Sequence, residues 1–171
     1  EELKSLIKEI KITGVCEIAN DNAEGQTIIS GDVESVNLLQ NILKENKKKF
    51  IPLNVSAPFH CSLMRPAAAS MKDKIYSTEF KKPFIDIVCN VNSKSVNNPD
   101  EIKKLLVEQI CSTVKWRESI INMSRENVTK FIEIGPGKVL SGMVKRTVKD
   151  INCFSINSID DMKKTVNEFK R

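Results

Sequence analysis

Short β-rich runs alternate with amphipathic helical stretches along nearly all 171 residues, and this alternation limits the fold more than any other feature. Strands that repeatedly follow and precede helices are satisfied in a sheet layered with helices, so the chain reads as α/β with a mainly parallel sheet. Glu2 to Ile10 sets Leu3, Leu6, Ile7 and Ile10 on one helical face, and Gly14 ends that pattern before a strand, Val15 to Ala19. Asn20 to Gly25 is a loop by composition, and Gln26 to Ser30 is a short strand. Gly31-Asp32 can cap the next helix, Val33 to Asn46, whose apolar face carries Val36, Leu39 and Leu43. After Lys47-Lys48-Lys49, Phe50 to Val55 reads as another strand.

This α-β-β-α-β order is a βαββαβ ferredoxin-like unit without its first strand. That strand is internal to such a sheet, so its absence leaves backbone groups and an apolar face without partners. An earlier segment of the polypeptide is therefore expected to supply it, the alternative being an unusual complete fold. From Ser62 onward the rhythm changes. A helix runs from Arg65-Pro66-Ala67 to about Ser77, with Pro66 tolerated in its first turn. Phe84 to Val91 is a nearly continuous apolar strand, expected to be buried on both faces. Asn98-Pro99-Asp100 opens a helix to about Cys111, a second spans Lys115 to Arg125, and Phe131 to Ile134 is another buried strand. Gly135-Pro136-Gly137 turns into a helix, Lys138 to Lys149, before a last strand, Cys153 to Ile156, and a last helix, Asp160 to Phe169.

Composition narrows the functions. No apolar run approaches the roughly 20 residues that cross a bilayer, and the acidic, helix-like opening Glu1-Glu2-Leu3 is unlike a basic leader, so no membrane role is expected. The five cysteines form no CxxC pair, which suits free thiols and indicates neither a metal site nor a disulfide framework. A net charge of +5 with clusters at Lys47-Lys48-Lys49 and Lys145-Arg146 suits either attraction of an acidic protein or phosphate-bearing ligand or simply a solvated lysine-rich surface. Scarce aromatics and no recognised motif argue against nucleic acid. Gly135-Pro136-Gly137 is a structural turn and not a phosphate loop, because the GxxxxGK[ST] spacing is absent.

The only histidine, His60, lies in Val55-Ser56-Ala57-Pro58-Phe59-His60-Cys61-Ser62-Leu63-Met64. Imidazole titrates nearest to neutral pH, so His60 is the first candidate for a general base. This decapeptide, Glu133-Ile134-Gly135-Pro136-Gly137-Lys138-Val139-Leu140, the stretch Asn20-Asp21-Asn22 with Gly25-Gln26, and Trp116 together resemble the malonyl-CoA:acyl carrier protein transacylase family. The resemblance extends over essentially the whole chain. It implies a ferredoxin-like small subdomain, first strand missing, at residues 1–60. Residues 61–171 would then be the C-terminal part of an α/β-hydrolase-like large subdomain.

In that family a serine on a GHSxG elbow attacks malonyl-CoA while a histidine takes its proton. The resemblance assigns the histidine's role to His60 and gives the backbone carbonyl of Gln109 the task of orienting its ring. No GxSxG occurs here, and the family's malonyl-binding arginine and oxyanion-hole glutamine precede the matched region. The expectation is a C-terminal part that, alone, transfers no acyl group. Cys61 is discounted as a substitute nucleophile, since adjacent side chains usually diverge.

Phe59 would narrow the space beside the malonyl α-carbon and favour malonyl over methylmalonyl by about 1 to 3 kcal/mol, although a packing role is comparably plausible. The resemblance sets Asn22 in a loop over the cleft, as a possible acyl or pantetheine contact or simply a turn residue. It makes Lys48, Lys49, Lys145 and Arg146 docking residues for acyl carrier protein. The implied partners are malonyl-CoA, acyl carrier protein and an N-terminal segment of the same enzyme, in type II fatty acid synthesis, with no cofactor. Alternatives are an acyltransferase domain of a polyketide or multifunctional fatty acid synthase, and a non-catalytic carrier-binding module. Richness in Lys, Asn and Ile suggests an A/T-rich genome; the resemblance to a type II enzyme, which outside bacteria sits in a plastid or mitochondrion, then implies a plastid if the source is apicomplexan, and otherwise a bacterial cytoplasm.

Overall fold

The hairpin expected near the start forms, but it is longer than its composition suggests. The computed structural model describes residues 2–9 and 13–169; Glu1 and Ile10, the last apolar position expected on the first helix, lie outside the described residues. Helix α1 (Glu2–Glu9) precedes β1 (Cys16–Ala23) and β2 (Gln26–Gly31), which pair antiparallel around the two-residue turn Glu24-Gly25. Gly25 takes φ 71°, a conformation that favours glycine. Gly31 has a different reason: a side-chain carbon there would run into the carbonyl oxygen of Val15, which accepts the Asp32 N–H at 2.9 Å.

Asn20 to Ala23 is therefore strand, not loop, and long-range bonds explain it. Asp21 N donates to Val114 O at 2.9 Å and Val114 N to Ala19 O at 2.8 Å, so β1 finds a second neighbour far along the chain. Two register irregularities, between Ile18 and Asn20 and between Asp21 and Ala23, bend the strand to meet it. Helix α2 (Val33–Glu45) starts as expected at Asp32, whose carboxylate accepts from Ser35 N at 2.8 Å and from Val15 N at 2.5 Å.

Phe50 to Val55 forms no strand. The segment is irregular, with Ile51, Leu53 and Val55 exposed, because no described strand offers it a ladder. A single 3-10 turn, Ser62–Met64, leads into α3 (Arg65–Ser77), with Pro66 in its first turn as expected.

The expected long buried strand from Phe84 contracts to β3 (Ile87–Cys89). It pairs antiparallel with β4 (Lys94–Val96), which sequence reasoning missed. The intervening turn has Ser93 at φ 58°, and Ser93 N donates to Cys89 O at 2.8 Å. Phe84 is 97% exposed, so burial on both faces is not observed. Val96, Ile102 and Leu105 form a core cluster under this hairpin with Phe80, Cys89 and Val91 against it. Ile102 and Leu105 belong to α4 (Pro99–Gln109), capped by Asn98, whose side chain accepts from Asp100 N and Glu101 N. Helix α5 (Trp116–Arg125) buries Ile120, worth about 1.5–3 kcal/mol for such a side chain.

Strands β5 (Lys130–Ile134) and β6 (Asn152–Ile156) pair in parallel, joined through α6 (Val139–Thr147), and α7 (Ile159–Phe169) closes the described chain. Strand β5 is not buried as expected: Ile134 is 81% exposed and Ile132 is exposed too. Among the described residues the only parallel pairings are β5 with β6 and a single bridge, Asn20 to Val114, so the mainly parallel sheet is also corrected. The α/β character stands: among the described residues, α-helices alternate with the strands of three two-stranded sheets.

Candidate active site

His60 sits between an irregular segment and the 3-10 turn, with its backbone at φ 60°. A non-glycine residue in that left-handed region costs about 1 kcal/mol or more, and persists where surrounding contacts over-determine it. Three such contacts are present. Cys61, fully buried, donates its thiol to Pro58 O at 3.2 Å. The two oxygens of Glu17, on β1, accept from Ser62 N at 2.9 Å and Ser62 Oγ at 2.6 Å. The ring itself meets Gln109, with Nδ1 3.1 Å from the Gln109 carbonyl oxygen.

Gln109 ends α4, where the last carbonyls have no partner within the helix, and its carbonyl takes the ring beside a long bond from Ser112 N at 3.4 Å. With a carbonyl as acceptor, Nδ1 carries the proton and Nε2 is left with its lone pair, the tautomer a general base needs. Gln109 is fixed in turn by its Nε2 donating to Ser112 O at 3.0 Å. Its Oε1 and the indole Nε1 of Trp116 are buried without a hydrogen-bond partner among the described residues.

The stretch from Gln109 to Arg117 is bound to β1 at several points. Thr113 Oγ1 donates to Ile18 O at 2.6 Å, alongside the backbone bonds of Val114. Arg117 grips Asp21 with Nε at 2.9 and 3.1 Å and Nη2 at 2.8 Å. This pair is partly exposed, so its contribution to stability is modest, about 1 kcal/mol or less, while its forked geometry fixes orientation.

The structure thus brings His60 and Gln109 together. No hydrogen bond among the described residues joins Phe59 or Asn22 to them. Phe59 is 47% exposed, so it is not a packed core residue and its ring is open to solvent or ligand. Asn22 is 8% exposed within β1; the expected loop or turn placement is corrected, because the ladder runs on to Ala23. Lys48, Lys49, Lys145 and Arg146 are all exposed. Lys145 and Arg146 occupy the last turn of α6, and Arg146 Nη2 donates to Gln26 Oε1 at 2.5 Å, linking α6 to β2. Glu17, Ser62, Asp21 and Arg117 escaped sequence reasoning as site residues. The signal for Glu17 was a carboxylate inside an otherwise β-rich run.

Electrostatics elsewhere is set by capping and burial. Burial pushes the Cys16 thiol up to about 11, helped by the charges of Asp32, Cys61 and Glu17. Glu133 is held below its ordinary value, first by the Ser141 hydroxyl and then by the Ser141 N–H, which donates at 2.8 Å. Gly135-Pro136-Gly137 acts as the expected turn: Gly135 N extends the β6 ladder to Ile156 O and Gly137 N is held by Asn157 Oδ1. All five cysteines are free. Among the described residues no cluster of three His, Cys, Asp or Glu side chains is arranged to hold a metal, and no helix is long and apolar enough to cross a membrane.

No protein-family model matches the chain. The malonyl CoA-acyl carrier protein transacylase of Bacillus subtilis is 37% identical over 172 residues, 99% of this chain and 54% of that protein. The crystal structure of an acyl-carrier-protein-S-malonyltransferase from Bartonella henselae superposes with a TM-score of 0.93 at 33% identity, over 99% of this chain and 55% of its own. A malonyl-transacylase solved in complex with its type II PKS acyl-carrier protein superposes at 0.90 and 31% identity, over 96% of this chain and 53% of its own. The chain spans about half the length of the curated relatives it matches.

Proposed function

Because the chain is a member of the malonyl CoA-acyl carrier protein transacylase family over the half of those proteins that it spans, we propose that it supplies the general base of a malonyl transfer. The observation that carries this reading is the 3.1 Å contact from His60 Nδ1 to the Gln109 carbonyl, which leaves Nε2 free to accept a proton. A serine from the portion outside this chain attacks the thioester of malonyl-CoA as Nε2 takes its proton. The proton then passes to the departing coenzyme A thiolate. In the second half-reaction the pantetheine thiol of acyl carrier protein gives its proton to Nε2 and attacks the malonyl-serine ester. The serine leaves and recovers that proton.

On this reading the chain alone transfers nothing, since it holds the base without the serine, the carboxylate-binding arginine or the oxyanion-hole glutamine. The exposure of Ile134 on β5 supports a larger enzyme, because strands paired in parallel, as β5 and β6 are, are normally covered on both faces. Residues 1–60 would be the incomplete ferredoxin-like subdomain, with the β1–β2 hairpin and α1 and α2 as its parts, and residues 61–171 the large-subdomain part. Phe59 and Asn22 line the acyl or pantetheine path, and Lys48, Lys49, Lys145 and Arg146 attract the acidic carrier.

A polyketide carrier is a second reading, favoured by the solved complex of a similar transacylase with a type II PKS acyl-carrier protein. The plastid setting rests on composition alone, and the relatives above come from bacteria. In an active transacylase that carries this chain, His60→Ala lowers kcat/KM for malonyl transfer by about 10²–10⁴-fold with the far-ultraviolet dichroism unchanged. Turnover within a factor of two of the parent overturns the assignment of the base. Parallel assays with fatty-acid and polyketide carriers separate the two settings.

A further inference from the structure

We infer that Glu17 is a positioning residue for His60, acting through Ser62. The inference rests on the reading of His60 as the base, and it concerns how this chain holds that ring. A histidine at φ 60° does not keep its place by local preference, so something beyond its neighbours in sequence must define it. Ser62, two residues later, is held through both its N–H and its hydroxyl by separate oxygens of one carboxylate, at 2.9 and 2.6 Å. Hydrogen bonds to an ionised acceptor are short and strong, and two on one side chain fix direction as well as distance.

The place of Glu17 is what gives this contact its consequence. It lies on β1, opposite Ser30 of β2, so the carboxylate projects from a paired strand and not from a loop. The same strand holds the other partner of the ring. Ile18 O and Ala19 O accept from Thr113 Oγ1 and Val114 N, and Asp21 takes Arg117, all just beyond Gln109. His60 and Gln109 are 49 residues apart in sequence, and β1 is the common reference from which both are set. Releasing Ser62 frees the histidine side of that arrangement while the Gln109 side stays tied.

Histidine-selective ¹⁵N labelling of an active transacylase carrying this chain makes the test direct, because the ring-nitrogen signals that vanish in His60→Ala identify His60, the one histidine of this chain. At a pH where the imidazole is neutral, the parent protein is expected to show His60 mainly as the Nδ1–H tautomer. Glu17→Ala and Ser62→Ala each move both ring-nitrogen signals toward exchange-averaged values. The amide spectrum away from residues 58–64 and β1 is unchanged, and Ser62→Thr, which keeps the hydroxyl, retains the parent signals. In an active transacylase carrying this chain, Ser62→Ala lowers kcat about tenfold and leaves KM for malonyl-CoA unchanged. A folded Glu17→Ala or Ser62→Ala protein with the parent's ring-nitrogen signals would overturn the inference. Should Glu17→Ala fail to fold, Ser62→Ala decides alone. If the variants shift the tautomer while His60→Ala retains transfer, the positioning stands and the catalytic reading falls.

Discussion

At the scale of single residues, the contrast between Cys61 and His60 is informative, because adjacent side chains meet different environments. Cys61 faces inward, is 0% exposed and gives its thiol to Pro58 O, whereas the His60 ring turns to the end of α4. The buried thiol serves packing and the loop's shape, and is poorly placed to act as a nucleophile. Cys16, also buried, has its thiol pushed up to about 11, which leaves little thiolate at neutral pH. Both are therefore expected to resist iodoacetamide at pH 7.5 in the native protein and to react once it is unfolded in urea. Peptide mass mapping checks this, and labelling of Cys16 or Cys61 in the native protein at the rate of an unhindered thiol contradicts it.

At the scale of elements, carboxylates hold the starts of helices and the ends of loops. Asp32 is lowered from its ordinary value by Ser35 N, then Val15 N, then the Ser35 hydroxyl. Glu133 is lowered by the Ser141 hydroxyl and amide, and Asp161 by Ser158 and then Asn157 N. Each carboxylate ionises more readily in the folded protein than in the unfolded chain. Its contribution is complete above the ordinary carboxylate range and is lost as pH falls through the lowered folded value. The urea midpoint is accordingly expected to hold steady from pH 7 to about 5 and to fall below that. Asp32→Asn should reduce stability at pH 7 and flatten the acid slope, and an unchanged slope in that variant argues against the cap as its source.

At the scale of the whole molecule, charge and exposed apolar surface describe how the chain meets others. Lys48 and Lys49 follow α2 and precede the irregular segment to His60, while Lys145 and Arg146 end α6. Surface charges of this kind act on encounter and are weakened by salt. In an active transacylase carrying this chain, reversing Lys48 and Lys49 to Glu is expected to raise KM for acyl carrier protein by about three- to tenfold at low salt. The KM for malonyl-CoA should not change. Steady-state kinetics at two ionic strengths checks this, and equal effects on both substrates argue against docking.

Much of the helical order is legible from the residues alone: Asp32 and Asn98 cap where expected, Pro66 lies in a first turn, and Gly135-Pro136-Gly137 turns into α6. Helices close their hydrogen bonds within a few residues, so local chemistry determines them. A strand has no such closure. Phe50 to Val55 and Phe84 to Asp86 are β-rich yet unpaired, while polar Asn20, Asp21 and Asn22 are strand because Thr27, Ile28 and Val114 lie beside them. The candidate site divides in the same way. The lone His60 and its resemblance-given partner Gln109 are named by the sequence. The φ of 60°, the Glu17 clamp on Ser62 and the Asp21–Arg117 fork exist only once β1 has brought residues 45 and 96 positions apart into contact.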